Sequence, residues 1–560
     1  MPTRVSERFV AAHARISHGP RGLKPRLMRR ATALLFTVVC GSFAGCATVY
    51  TGAHWMTLGV SRVRSPLHVR LPFGNAPLSI EQYHAVREIP PTDPAEDPLL
   101  NELKLPERLA ANGGEVTLRF VALSGGGARA AAFSAYVLRE MEAQHNSTGG
   151  DTALFDSIDG FSTVSGGSIY AGYVAVTYGL NESGRAFLFS SVNAVRELRG
   201  QGTADRHHAF QVLAEKYFDY YAYLGGRAGC AYINPANLLA GPIFSLFTDA
   251  DIVDLYAQTL DTDYAFSAYT QLKFQHLERR PKFFFNTTNH SDFRPFLFTQ
   301  GRFHRGPAVD FVGSESGRSF ENPLIRWHRS DDSEFENGRP FPYALSLEAI
   351  NSDSEKFPIS YAVMGSAAFP GATEPMPMWY YKPVEEGDDL EFEKDAIVRV
   401  VDGGLYENYG LAAAFETYEY VRRKLAPQGV TVNLKILSVD SANRVKPIRD
   451  EGCLGLNSPI DCGFPVRGVM PAIESMSRSY DAGQAVIRSI LRKRAEVADE
   501  SGSIDVTEIN LAQCTHFDEK DGEDVKTDYI ISGAEAEILE KCARELVDHP
   551  EGAQRFLHGG

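Results

Sequence analysis

The chain predicts an α/β fold, and three stretches carry that prediction. Residues 116–123 form an apolar, buried-strand run that stops at Ser124-Gly125-Gly126-Gly127-Ala128-Arg129, and helical spacing begins directly afterwards. Residues 158–164 form a second apolar run, which stops at Ser165-Gly166-Gly167-Ser168 and opens a small-residue helix over 169–178. A third run, 397–401, ends in Asp402-Gly403-Gly404. Strands that stop at glycine turns and lead into helices are the units of an α/β sheet, and such sheets keep reactive groups at the strand ends.

The second stretch is the one around which the others are arranged. Strand, sharp turn, serine, glycine and helix are the context of a nucleophile elbow, with the helix N-terminus behind the hydroxyl. Its flanking positions must be small, hence Gly167 two residues after Ser165; Thr163 occupies the place where G-x-S-x-G has its first glycine.

The glycine turn at 125–127 has two readings. Gly125-x-Gly127-x-x-Ala130 fits a dinucleotide fingerprint, which also needs an acidic residue at a strand end about 20 residues on. That interval holds a helix and the polar loop 145–151, with no second strand before Asp151. The same bare amides can instead face a developing oxyanion, and this reading fits better: Gly125, Gly126, Gly127 and Ala128 become the expected donors. Arg129 either braces the loop, meets a phosphate or makes a helix-surface salt bridge.

In chain order, the N-terminus reads as a leader. Met28-Arg29-Arg30 precedes the apolar run 31–39 and then Cys40-Gly41-Ser42-Phe43-Ala44-Gly45-Cys46, the grammar of a secretion signal. The run is too short to span a bilayer. Residues 1–45 are expected as a signal peptide, with Met28 as an alternative start of translation. Phe43-Ala44-Gly45-Cys46 resembles a bacterial lipobox, which makes Cys46 the lipidation site and the envelope, specifically the periplasmic face of an outer membrane, the expected location.

Residues 46–114 are Pro-rich and weakly periodic, a linker expected to stand the enzyme off its anchor and drape along the domain; the catalytic domain is expected over 115–550. Within it, 180–280 alternates helical and irregular stretches rich in aromatics, including Tyr217-Phe218, Tyr220-Tyr221 and 238–247, and reads as a lid or cap insertion. Residues 282–289 read as a strand with a hairpin partner over 294–299. Residues 359–369 read as a small-residue helix, 434–439 as another strand, and 470–495 and 534–547 as helices.

With 560 residues, 44% apolar, the chain can bury a large core; one large domain with insertions fits as well as two to four smaller ones. Its net charge is −15, and residues 1–45 hold eight Lys/Arg against one Asp/Glu, so the remainder carries −22. Such a surface repels phosphate backbones and excludes nucleic acid as a partner. It also repels anionic headgroups, so membrane proximity must come from an acyl anchor or apolar patches. Of the cysteines beyond Cys46, Cys453–Cys462 and Cys514–Cys542 are candidate disulfides in an oxidising compartment, with Cys230 left over; buried reduced thiols are the alternative.

Taken in order, Ser124-Gly-Gly-Gly-Ala-Arg129, Thr163-Val-Ser165-Gly-Gly167 and Asp402-Gly-Gly404 resemble the oxyanion loop, elbow and Asp-Gly-Gly of the patatin-like phospholipases. Gly365-Ser-Ala-Ala-Phe-Pro370 and Thr527-Asp-Tyr-Ile-Ile-Ser532 agree, so the resemblance spans about 116–545. It departs at Ser124, where the family often has Asp, and at Thr163, whose β-branch raises a question of turn strain.

The resemblance implies a three-layer α/β/α sandwich with a mostly parallel central sheet. It further implies a serine lipid acyl hydrolase with a Ser165–Asp402 dyad, acting on phospholipid, lysophospholipid or another fatty-acyl ester, with no cofactor and no metal. Two other readings stand beside it: a Ser-Asp-His hydrolase using His516 or His549, and a non-catalytic lipid-binding or envelope scaffold lipoprotein.

Overall fold

A computed structural model describes residues 97–149, 152–191, 206–215, 272–290, 295–300, 345–369, 375–386, 389–441, 502–516 and 533–549, with a few isolated positions besides. The signal, the lipobox, Cys230, Cys453, Cys462, the expected 470–495 helix and most of the expected lid lie outside the described residues.

The described strands are β1 (Glu115–Leu123), β2 (Gly160–Val164), β3 (Lys282–Asn289), β4 (Pro295–Phe298), β5 (Leu345–Ser346), β6 (Met376–Glu386), β7 (Asp389–Asp402), β8 (Thr431–Asp440) and β9 (Ile504–Asn510). They form one sheet in the order β5-β4-β3-β2-β1-β8-β9. The run from β3 to β9 is parallel throughout, β4 joins β3 as the expected antiparallel hairpin, and the sheet is therefore mixed but mostly parallel. The helices that bear on the site are α1 (Gly127–Ser147), α2 (Gly166–Tyr178), α3 (Ile359–Ser366), α4 (Leu411–Leu425) and α5 (Gly533–Asp548).

Alternation along β1 explains the layering. Val121 and Leu123 enter a core shared with residues of α1, α2, α3 and α5, whereas Leu118, Phe120 and Ala122 enter a second core shared with α4. A strand whose two faces both meet helices must be apolar on both. The same reason accounts for Phe283-Phe284-Phe285 on β3: Phe283 stacks on Phe161 at 5.2 Å in the first core, and Phe284 tilts against Phe120 in the second. This is the expected α/β/α sandwich.

The linker expectation needs refinement at its end. Residues 97–112 fold into two short helices, Pro98–Glu102 and Leu105–Asn112, whose Leu99, Leu103 and Leu105 are buried in the second core. Arg108 reaches the wholly buried Asp159 at 2.7 Å, and Arg280 meets the same carboxylate at 2.6 Å. Because it buries three leucines in the second core and supplies one of the two guanidiniums on that buried carboxylate, this segment is part of the folded unit rather than a strap over it.

The strand ending in Asp402 also differs from expectation. It is the last part of a 14-residue strand, β7, that pairs with β6 as an antiparallel ribbon and touches the main sheet only through Thr287↔Asp402, Thr288↔Val401 and Asn289↔Val400. β7 therefore runs against β3 and delivers Asp402 to the carboxyl end of the parallel strands from outside the sheet.

At the far edge, Cys514 and Cys542 form a disulfide, with Cα atoms 5.3 Å apart, that ties the turn after β9 to α5.

Candidate functional site

Four strand ends meet at the carboxyl edge of the sheet. Ser165 follows β2 and is half-buried, with φ 50° and ψ −117°. That conformation is unfavourable for any residue with a Cβ and costs on the order of 1–3 kcal/mol. It persists because the backbone is held on both sides. The Ser165 carbonyl accepts the N–H groups of Ser168 and Ile169 at 2.9 and 3.2 Å, and its own N–H donates to Ser366 Oγ at 3.1 Å.

The glycine turn after β1 lies against this elbow. A Cβ on Gly125 would stand 3.3 Å from Ser165 Cβ and 2.2 Å from Asn408 Oδ1; one on Gly166 would stand 2.0 Å from the Gly127 carbonyl oxygen. Only bare backbone permits the two turns to approach this closely. The turn is pinned from β8 as well: Ser441 N–H donates to Ser124 Oγ at 2.9 Å, and Ser441 Oγ donates to the Gly125 carbonyl at 3.0 Å. Ser124 is thus the residue that ties the loop to the sheet.

The four expected oxyanion donors do not stand alike. Gly125 is buried and its N–H donates to the Asn408 carbonyl at 3.0 Å, which removes it from the set. Gly126 and Gly127 are partly exposed beside Ser165, while Ala128 is buried. Gly127 and Ala128 begin α1, and leading helix amides have no intrahelical acceptor. Gly126 and Gly127 are therefore the amides best placed to meet a ligand at the opening. Arg129 is 4% exposed, and its guanidinium lies beside the glycine loop, 3.6 Å from where a Cβ on Gly126 would stand.

Asp402 is 2% exposed. Its backbone is fixed by donation of its N–H to the Ala368 carbonyl and by acceptance from Thr288 Oγ1. Its Oδ1 accepts the Gly404 N–H at 2.7 Å. The buried Oδ2 has no fully formed hydrogen bond, although the nearby Ser165 hydroxyl favours the ionised carboxylate. Burial outweighs that hydroxyl and the Gly404 amide, and the carboxyl is pushed up from 3.8 to about 6. Among the described residues, no histidine acts on Asp402. His516 is exposed and faces Glu545 at 3.9 Å, and His549 is exposed at the end of α5.

Sequence reading assigned no role to Asn408 or Ser441, and noted Ser366 only as part of the segment 365–370. Asn408 links the glycine loop to the Asp402 turn, since a Cβ on Gly404 would meet its Oδ1 at 2.8 Å. The one available signal was its place six residues after Asp402.

Behind the Asp-Gly-Gly turn a small cavity is lined by Asn286, Thr287, Gly403, Glu407 and Glu416. Glu407 accepts the N–H groups of Tyr409, Leu411 and Ala412, which caps α4. Glu416 Oε2 has no hydrogen-bond partner among the described residues, and burial pushes this carboxyl up from 4.5 to about 8. A raised carboxyl binds its proton more tightly in the folded state, so stability is lost as pH rises from 4.5 through 8. Glu416→Gln is expected to unfold at a higher urea concentration than the wild type at pH 9 and at nearly the same one at pH 4. Urea midpoints measured across that range check it.

No curated protein matches the chain. The family described as patatin-like phospholipase matches residues 121–415, which begin within β1, end in α4 and include Gly125–Gly127, Ser165 and Asp402. That match covers more than half of the 560 residues, and the chain belongs to the patatin-like phospholipase family.

Proposed function

We propose that the protein is a serine lipid acyl hydrolase of phospholipase A or lysophospholipase type, with Ser165 as nucleophile and Asp402 as its base. The observation that carries this reading is the half-buried Ser165, whose hydroxyl acts on the buried Asp402 carboxylate, with no histidine among the described residues acting on that carboxylate. Lipid acyl hydrolysis is the general activity of the family to which the chain belongs.

In the acylation step Ser165 Oγ bonds to the ester carbonyl carbon, and its proton passes to Asp402. The carbonyl oxygen takes up the displaced electron pair and is held by the Gly126 and Gly127 amides; one such donor is worth about 3 kcal/mol in studied hydrolases. Collapse breaks the bond to the alcohol, which leaves with the proton from Asp402. Water then attacks the acyl-serine by the same route, releases the fatty acid and restores Ser165. Asp402 suits the base role because its pKa, about 6, is close to working pH while the group remains mainly ionised at pH 7.

Envelope anchoring through Cys46 belongs to the same proposal. It is supported by the lipobox-like Phe43-Ala44-Gly45-Cys46 and by the Cys514–Cys542 disulfide, a bond that persists in oxidising compartments.

The test is release of fatty acid from phosphatidylcholine and lysophosphatidylcholine vesicles, with fluorophosphonate labelling located by peptide mapping. Label on Ser165 and acid release from either lipid support the proposal; turnover retained in Ser165→Ala sinks it. Gly166→Ala probes the shared turn. Its methyl would press on the Gly127 carbonyl, and a displacement of that size is expected to lower kcat by about 100-fold. Single-turnover acylation rates measure the loss.

A further inference from the structure

Beneath the Ser165 turn lies a chain of buried hydroxyl groups that the acyl-transfer steps do not use. Ser366 Oγ, on α3, donates to the Asn286 carbonyl at 2.6 Å and accepts the Ser165 N–H at 3.1 Å. Ser168 Oγ lies 2.8 Å from Ser366 Oγ and 2.9 Å from Thr163 Oγ1. Thr163 Oγ1 in turn donates to the Phe284 carbonyl at 3.2 Å. Asn286 closes the group by donating from Nδ2 to Ser162 Oγ and to the Thr163 carbonyl at 3.1 and 3.0 Å. Thr163, Ser168 and Ser366 are wholly buried.

The protons can be counted. Each hydroxyl has one. The proton of Ser366 is committed to Asn286, and that of Thr163 to Phe284. Ser168 donates to one of these two neighbours, both of which retain acceptor capacity. Ser366 is therefore oriented to accept from Ser165 rather than to donate to it. An N–H held downward by Ser366 cannot also face an oxyanion above the turn.

We infer that Ser366 is a positioning residue for Ser165. It holds the backbone of the nucleophile in its strained conformation and takes up that residue's own N–H. Thr163 and Ser168 keep Ser366 in the accepting orientation. This is how a β-branched residue is accommodated at the elbow: the Thr163 hydroxyl is needed, and its methyl is incidental. The inference rests on Ser165 being the nucleophile.

The experiment compares wild type, Ser366→Ala, Thr163→Val and Thr163→Ser in kcat and KM on a soluble short-chain ester and in the rate of fluorophosphonate labelling. Ser366→Ala is expected to lower kcat and labelling rate by about 10- to 100-fold, the effect of a misplaced reacting group, with KM nearly unchanged. Thr163→Val keeps the volume and loses the hydroxyl, and is expected to fall in kcat; Thr163→Ser keeps the hydroxyl and is expected to remain close to wild type. A purely packing role predicts the reverse order for that pair. Wild-type kcat in Ser366→Ala, or a better enzyme in Thr163→Val than in Thr163→Ser, would overturn the inference. Should Ser366→Ala fail to fold, the Thr163 pair decides. Wild type labelled at a residue other than Ser165 overturns the functional reading and this inference together, so the two failures are read apart.

Discussion

Ester turnover in Ser165→Ala is expected to fall by about 10⁴-fold or more, as removal of a catalytic serine does in studied hydrolases. The stability of two variants at this position adds a second readout. Ser165 is held at φ 50°, ψ −117°, where a Cβ is in conflict with the backbone. Alanine keeps the Cβ and therefore the strain. Glycine loses it, and on the order of 1–3 kcal/mol of stored strain is released. Glycine's greater unfolded-chain entropy takes back about 0.5–1 kcal/mol. Ser165→Gly is therefore expected to be inactive and to melt above Ser165→Ala. Calorimetry on the two variants, each assayed for ester turnover, checks both halves. If the alanine variant melts at or above the glycine variant, the elbow is not strained; if either retains turnover, Ser165 is not the nucleophile.

The second large effect concerns Asp402 and pH. In the base role proposed for it the carboxylate must be ionised, so kcat/KM should climb with pH and level off above an apparent pKa of about 6. Asp402→Asn should lose both the activity, by about 10³- to 10⁴-fold, and the titration. Stability should move the opposite way. Burial raises this carboxyl in the folded state from 3.8 to about 6, so the folded protein binds the proton more tightly than the unfolded chain does. Its contribution is complete below pH 3.8 and is lost as pH rises through 6. At about 1.4 kcal/mol per pKa unit, ionised Asp402 destabilises the fold at neutral pH by about 3 kcal/mol. Asp402→Asn is then expected to be nearly inactive yet more resistant to urea than wild type at pH 8, and similar to it near pH 4. An asparagine variant weaker than wild type at pH 8 would show that the carboxylate is stabilised by contacts stronger than the Ser165 hydroxyl and the Gly404 amide.

The two predictions have a common cause. Ser165 carries backbone strain and Asp402 carries unfavourable burial, and both are imposed by neighbours from distant parts of the chain. Ser366 holds the first across 201 positions of sequence, and Ala368 and Thr288 fix the backbone of the second. Stability lost at these two residues is what sets the Ser165 hydroxyl beside a raised carboxylate.

The amino-acid sequence by itself determined the α/β class, the Ser-Gly-Gly elbow, the glycine loop and the Asp-Gly-Gly turn. Each of these imposes its demand locally. A tight turn needs small residues at fixed offsets, and a strand buried on both faces needs an unbroken apolar run such as Phe283-Phe284-Phe285. Direction, pairing and partnership were left to the tertiary structure. The alternation of side chains along residues 397–401 is the same whether a strand runs with or against its neighbour, so the antiparallel entry of β7 had no signature. The outer half of the β6–β7 ribbon, with Pro383 and the charged stretch 385–395, lacks the composition of a strand and is defined by hydrogen bonds between its own two arms. Gly125 looked equal to Gly126 and Gly127 until the Asn408 carbonyl was found on its amide. Ser366, Asn408 and Ser441 are ordinary polar residues in helix and loop, and they acquire a role only where folding brings them within hydrogen-bond reach of the turn that needs them, because a hydrogen bond depends on the distance between two groups and not on their separation along the chain.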